Sequence, residues 1–136
     1  ETKLDGFDCS QQTLYCGNIR LNDQDLILQA TAFAIRLISA QEKRVLNEWI
    51  PSQKISLIST NNTQIICSSR SNLYYLEVID SEIKLINETQ MEHETSCLDI
   101  SPLLQPKSKF CAVGLWKDIS VRYDDAFKVE CTFDCN

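Results

Sequence analysis

The stretch "TQIICSSRSNLYYLEVI", residues 63–79, decides the fold. It consists of a short apolar segment, a polar turn and a second apolar segment, which is the pattern of a β-hairpin. β-Branched and aromatic residues dominate both segments, and such residues favour strands. The same arrangement occurs in "DLILQATAFAIRLIS", residues 25–39, and in "KFCAVGLWKDISVRYD", residues 109–124. The chain therefore contains three similar hairpins.

The segments around these hairpins are also rich in strand-forming residues. One of them, residues 31–49, has a partial 3.6-residue periodicity, so a helix is the alternative to two strands there. Polar turns separate twelve candidate strands, at 12–19, 25–31, 33–39, 44–50, 54–60, 63–69, 73–79, 82–88, 95–101, 109–116, 118–124 and 127–133. The sequence therefore predicts an all-β protein.

The hairpins recur at a nearly constant interval, because they begin at residues 25, 63 and 109. A propeller blade of four antiparallel strands has a period of about 40–45 residues. The recurrence predicts a partial, WD40-like β-propeller in which residues 1–136 form a single fragment with blade-like units at about 12–50, 54–88 and 95–133. Complete propellers have about four to eight blades, so we expect three blades to be part of something larger. A β-sandwich with an accidental period is the alternative.

Charge and hydropathy exclude several function classes. The 136 residues carry a formal net charge of −6. Nucleic-acid binding relies on clustered Lys and Arg over phosphates, and anionic membrane surfaces also attract basic segments. The sequence has no apolar run of transmembrane length. We therefore expect neither direct nucleic-acid binding nor membrane association.

The seven cysteines are an odd number without a CxxC pair. Cys67, Cys97 and Cys111 lie in apolar strand-like segments, where free cysteine acts as a small buried hydrophobe. This pattern predicts mostly reduced, buried thiols in a reducing compartment. The sequons at Asn61 and Asn87 leave an extracellular β-domain as a further alternative.

The chain has one histidine, His93, between Glu92 and Glu94. On a strand, the two carboxylates would share one face and the imidazole would lie on the other, and on a helix adjacent side chains do not meet. The sequence also has neither a Gly-rich phosphate loop nor a nucleophile with a base. We therefore predict a protein that is not an enzyme and has no metal site and no cofactor.

Trp116 ends an apolar segment at the tip of a short connection. A tryptophan in that place is either a lid packed over the sheet or an exposed anchor for a partner. Tryptophan is among the residues most enriched in interface hot spots.

An ordered set of segments resembles the DNA damage-binding protein 1 family, the large adaptor subunits of cullin-4 ubiquitin ligases. The match covers about residues 4–123 and lies within the middle of the family's three seven-bladed propellers. The tail 124–136 departs from the family pattern. The matching segments are "GF" at 6–7, "QQTLYCGN" at 11–18, "AIRLIS" at 34–39, "LYYLEV" at 73–78, "QMEHETSCLDISPL" at 90–103 and "CAVGLWKDISVR" at 111–122.

The resemblance implies a non-catalytic protein-binding scaffold that acts in DNA repair and protein ubiquitination, in the nucleus and cytoplasm. In that family the middle propeller docks cullin-4, and DNA contact goes mainly through a partner subunit. By position, Glu94 and Trp116 match the family's exposed polar–aromatic pair, so we expect them to bind a cullin-4 or another protein subunit. A related propeller subunit of a splicing or polyadenylation complex is the alternative.

Overall fold

The structure is a computed structural model that describes residues 6–100, 108, 110–115, 118–123 and 129–134. Side chains are described over 6–100, 108 and 111–115. These residues form β1 (Thr13–Leu21), β2 (Gln24–Thr31), β3 (Ile35–Ser39), β4 (Arg44–Trp49), β5 (Leu57–Thr60), β6 (Gln64–Ser69), β7 (Asn72–Ile79), β8 (Glu82–Gln90), β9 (Thr95–Asp99), β10 (Phe110–Leu115), β11 (Asp118–Tyr123) and β12 (Val129–Asp134).

The strands form three four-stranded antiparallel sheets, each built from consecutive strands. The first sheet contains β1 to β4, the second β5 to β8 and the third β9 to β12. The predicted all-β fold with three four-stranded blades is confirmed. The helical alternative for residues 31–49 is wrong, because β3 and β4 pair there from Ile35 opposite Trp49 to Ser39 opposite Arg44.

Tight turns join the strands with few glycines because Asn, Asp and Ser take left-handed conformations. The β1–β2 turn has Asn22 at φ 49° and Asp23 at φ 61°. The β7–β8 turn repeats this geometry, with Asp80 at φ 52° and Ser81 at φ 61°. Two consecutive positive φ values are typical of the type I′ turn, whose twist matches that of the flanking strands. Asn and Asp adopt this region more readily than other non-glycine residues.

The second sheet lies between the first and the third, so apolar side chains cover both of its faces. One core fills the space between the first and second sheets and contains Ile19, Leu26, Leu28, Ala30, Ile35, Leu37, Ile55, Ile65, Cys67, Tyr74, Leu76, Val78 and Ile83. The other core lies between the second and third sheets and contains Ile66, Leu73, Tyr75, Met91, Ile100, Cys111, Val113 and Leu115.

Strand β7 supplies side chains to the two cores alternately. Tyr74 and Leu76 enter the first core, whereas Tyr75 enters the second. Tyr74 and Tyr75 are adjacent in the chain, yet each is only 2% exposed. Strand geometry gives the reason, since successive residues point to opposite faces and both faces are covered by sheets. Trp49 packs against the first core, with its ring centre 5.5 Å from that of Tyr74 in an edge-on contact.

The cysteine prediction is only partly correct. Cys67 and Cys111 are buried, whereas Cys97, Cys9 and Cys16 are exposed. Cys97 was expected in the core, but on β9 the following residue, Leu98, is the one that packs against the core.

Cys97 instead lies over its cross-strand partner Gly114. A Cβ atom at Gly114 would collide with the Cys97 Sγ atom, so the absence of a side chain at Gly114 makes room for this arrangement.

Candidate protein-binding surface

The β6–β7 turn and the β8–β9 connector, which leads into the third sheet, lie together at one end of the second sheet. The Thr95 backbone N–H donates to the Arg70 carbonyl at 3.0 Å, and the Met91 N–H donates to the Ser71 carbonyl at 2.7 Å. Arg70 takes a left-handed φ of 56°, which is uncommon for a non-glycine residue. The connector is therefore attached to the turn at both of its ends. We call this end of the sheets the connector end.

Glu94 is exposed at the connector end, in the last position before β9. Met91 is 5% exposed and belongs to the core, while Glu92 is exposed and His93 is half-buried. The residues between Met91 and Thr95 thus form a short surface loop that is fixed on each side. Among the described residues, no group of three or more His, Cys, Asp or Glu side chains could hold a metal ion.

Trp116 lies outside the described residues. In the described part of β10, Leu115 lies opposite Thr95 and Gly114 opposite Cys97. Glu94 precedes Thr95, and position 116 follows Leu115. Strands β9 and β10 are therefore neighbours in the third sheet. A shared partner surface of Glu94 and Trp116 stays a prediction.

The first sheet has an equivalent arrangement at its own connector end. The Ile55 N–H donates to the Ala32 carbonyl at 2.8 Å, which links the β4–β5 connector to the β2–β3 turn. Two large apolar residues are exposed there, Phe33 at 44% and Ile50 at 68%. Sequence reasoning missed both residues. Their only signal was an apolar residue at the edge of a predicted strand, since Phe33 begins the segment 33–39 and Ile50 ends the segment 44–50.

The opposite end of the second sheet is held by internal polar contacts. Gln64 is fully buried, and its amide donates to the Tyr75 hydroxyl at 2.8 Å and to the Ser108 carbonyl at 2.9 Å. The Asn61 amide donates to the Gln64 Oε1 atom at 2.6 Å and to the Ile100 carbonyl at 2.9 Å. A glycan replaces one of the two hydrogens on the Asn61 nitrogen, so at least one of these hydrogen bonds would be lost, which argues against use of this sequon.

Cys67 illustrates the chemical character of the interior. Burial raises the pKa of the Cys67 thiol far above its ordinary value. Because the thiolate is the nucleophile, such a thiol is inert at neutral pH. Its role is therefore to fill the first core.

In the described part of the chain, no helix has the length and apolar character needed to cross a bilayer.

Three consecutive four-stranded antiparallel sheets that stack face to face define part of a β-propeller. The first strands of the sheets lie side by side, since β5 contacts both β1 and β9, as expected near a propeller axis. Residues 1–129 match the family model described as "RSE1/DDB1/CPSF1 second beta-propeller". The chain belongs to this family.

Similar curated proteins carry the name DNA damage-binding protein 1. The rice protein is 38% identical over 127 residues, and the Drosophila melanogaster protein is 37% identical over 124 residues. The tomato protein is 32% identical over 127 residues. The alignments cover 88–90% of this chain but only 11% of each relative. The resemblance predicted from the sequence is confirmed, and the chain spans about a ninth of the length of these relatives.

Proposed function

We propose that the chain is a non-catalytic protein-binding scaffold, similar to the cullin-docking propeller of a ubiquitin-ligase adaptor. In this proposal it docks a cullin-4 subunit, contributes to protein ubiquitination in the DNA damage response, and resides in the nucleus and cytoplasm. The observation that carries the proposal is membership of the propeller family, with relatives named DNA damage-binding protein 1. Fluorescence imaging of the tagged full-length protein tests the localisation, and we expect signal in both the nucleus and the cytoplasm.

Glu94 and Trp116 are the proposed partner-binding residues. Glu94 is exposed on a loop whose flanks are fixed by the Met91 and Thr95 hydrogen bonds. Binding to a loop that is already ordered costs little conformational entropy. An exposed tryptophan beside an acid would give an apolar anchor with a charged rim, which is common at interface hot spots.

Titration of the 136-residue chain with a cullin-4 amino-terminal domain tests this proposal. We expect Trp116→Ala to weaken binding by about 2 kcal/mol or more, the usual size of a hot-spot effect. Glu94→Ala should change the association rate and its salt dependence more than the affinity, because it lies at the rim. Glu82→Ala is the matched control, since Glu82 is an exposed acid at the opposite end of β8.

Two results would contradict the assignment of these residues. If Glu94→Ala and Glu82→Ala behave alike, Glu94 takes no part in docking. If Trp116→Ala lowers the free energy of unfolding by about 3–5 kcal/mol while the folded fraction binds normally, Trp116 is a packed core residue.

A related subunit of a splicing or polyadenylation complex is the second candidate function. The family description favours keeping it, because it covers RSE1 and CPSF1 as well as DDB1. Co-purification of the full-length protein with RNA-processing subunits, together with failure to bind the cullin-4 domain, would support this candidate against the first.

A further inference from the structure

Phe33 is an exposed aromatic residue on a rigid turn. The Thr31 N–H donates to the Ala34 carbonyl at 2.9 Å, and the Phe33 N–H donates to the Thr31 hydroxyl oxygen at 3.2 Å. The Ile55 N–H binds the Ala32 carbonyl from the connector side. The backbone on each side of Phe33 is therefore fixed, while 44% of the residue stays exposed. Fixed aromatic residues make effective anchors because little entropy is lost when a partner covers them.

A cation and an aliphatic side chain lie at the same end of the first sheet as Phe33. The Lys54 ammonium group is 5.1 Å from the centre of the Phe33 ring. Ile50 follows β4 and is 68% exposed, the highest value among the large hydrophobic residues whose side chains the structure describes. We call Phe33, Ile50 and Lys54 the first-sheet patch. It combines two apolar side chains with a positive charge in a chain of net charge −6.

The first-sheet patch is linked to the loop that carries Glu94 through two hydrogen bonds, with the β6–β7 turn between them. Gln53, next to Lys54, accepts a hydrogen bond from the Ser69 hydroxyl at 3.4 Å. Ser69 precedes Arg70, whose carbonyl accepts the N–H of Thr95, the residue after Glu94. Gln53 and Arg70 are both exposed, so the surface between the patch and Glu94 is polar and includes a second cation.

We propose that the first-sheet patch is a second contact site for the protein that docks at Glu94, and that it receives an acidic amphipathic segment of that partner. An apolar side chain of this segment packs between Phe33 and Ile50, and a carboxylate pairs with Lys54 or Arg70. The positive charges of Lys54 and Arg70 favour an acidic segment, and the hydrogen-bonded link to Thr95, the neighbour of Glu94, favours the same partner. This inference rests on the proposed docking function and adds to it the chemistry of the partner segment.

The test measures binding of the cullin-4 amino-terminal domain to the 136-residue chain at two salt concentrations. We expect Ile50→Asp to weaken binding about tenfold or more, since it places a like charge against the acidic segment. Lys54→Glu should weaken binding and reduce its salt dependence. Ile86→Asp is the matched control, because Ile86 is also exposed, at 44%, but lies on β8. Melting temperatures confirm that all three variants fold.

The outcomes separate this inference from the proposed function. If Glu94→Ala alters cullin binding while Ile50→Asp and Lys54→Glu match Ile86→Asp, the first-sheet patch is not a contact and the docking proposal stands. If the unmodified chain does not bind the cullin-4 domain, both fail. If Lys54→Glu abolishes binding of a single-stranded oligonucleotide and leaves cullin binding unchanged, the patch serves a nucleic acid and the inference is overturned.

Discussion

Large apolar and aromatic side chains occur both in the interior of the second sheet and at the connector end, but they are buried in the interior and exposed at the connector end. On β7, Tyr74 and Tyr75 are each 2% exposed, because a sheet of the same chain covers each face. At the connector end, Phe33 and Ile50 are 44% and 68% exposed. Sheets of the same chain therefore cover both faces of the second sheet, whereas the connector end presents apolar side chains to solvent. The comparison suggests that interior substitutions will change stability and connector-end substitutions will change binding.

The largest effect on stability is expected from an interior residue of β7. Leu76 is fully buried, so Leu76→Ala removes buried methyl groups and leaves a cavity. We expect the free energy of unfolding to fall by about 2–5 kcal/mol. The control is Leu85→Ala, since Leu85 lies opposite Leu76 on β8 but is 43% exposed. Urea denaturation of both variants checks this prediction, and equal losses would contradict the assigned core.

A smaller loss of stability is expected from the buried polar contacts. Gln64→Leu removes the hydrogen bonds to Tyr75, Ser108 and Asn61 while leaving an apolar side chain of similar size. We expect a loss of about 1–3 kcal/mol, the usual cost when a buried partner is left unsatisfied. Gln24→Leu, at an exposed position of β2, is the control. A neutral Gln64→Leu would show that these contacts contribute little to stability.

The third prediction concerns the reactivity of the cysteine thiols rather than the stability of the protein. In the Cys131→Ser/Cys135→Ser variant, a thiol reagent at pH 8 should modify Cys9, Cys16 and Cys97 rapidly in the folded protein. Cys67 should react only after unfolding, because burial raises its pKa and keeps the thiol protonated. Mass spectrometry of the labelled peptides measures this. Fast labelling of Cys67 in the native state would contradict the interior described above.

The fold could be predicted from sequence because sheet formation depends on local patterns. Short β-branched and aromatic segments separated by polar turns indicated all twelve strands, and the recurrence of the hairpins indicated three sheets. Side-chain burial was harder to predict, because it depends on which face meets another sheet. Cys97 and Leu98 are adjacent apolar residues of β9, yet only Leu98 packs against a core. The alternation of the strand is the signal that distinguishes them, because Leu98 shares a face with Ile100 and Cys97 shares a face with Asp99.

The candidate site was only partly accessible from sequence. Glu94 came from the family resemblance, and its exposure agrees with a surface role. The predicted antiparallel blade already places the β2–β3 turn and the β4–β5 connector at the same end of the sheet, but Phe33 and Ile50 were missed because the sequence does not show that their side chains are exposed. The proximity of the turn and the connector follows from the antiparallel register, in which Ile35 lies opposite Trp49.

Hydrogen–deuterium exchange of the chain with and without the cullin-4 amino-terminal domain tests the central claim most directly. If the connector end is the docking surface, peptides covering residues 50–55 and 91–95 will exchange more slowly in the complex. The turns at 22–23 and 80–81, at the opposite end of the sheets, will exchange at the same rate in both samples. Protection of these two turns without protection of the connectors would contradict the account.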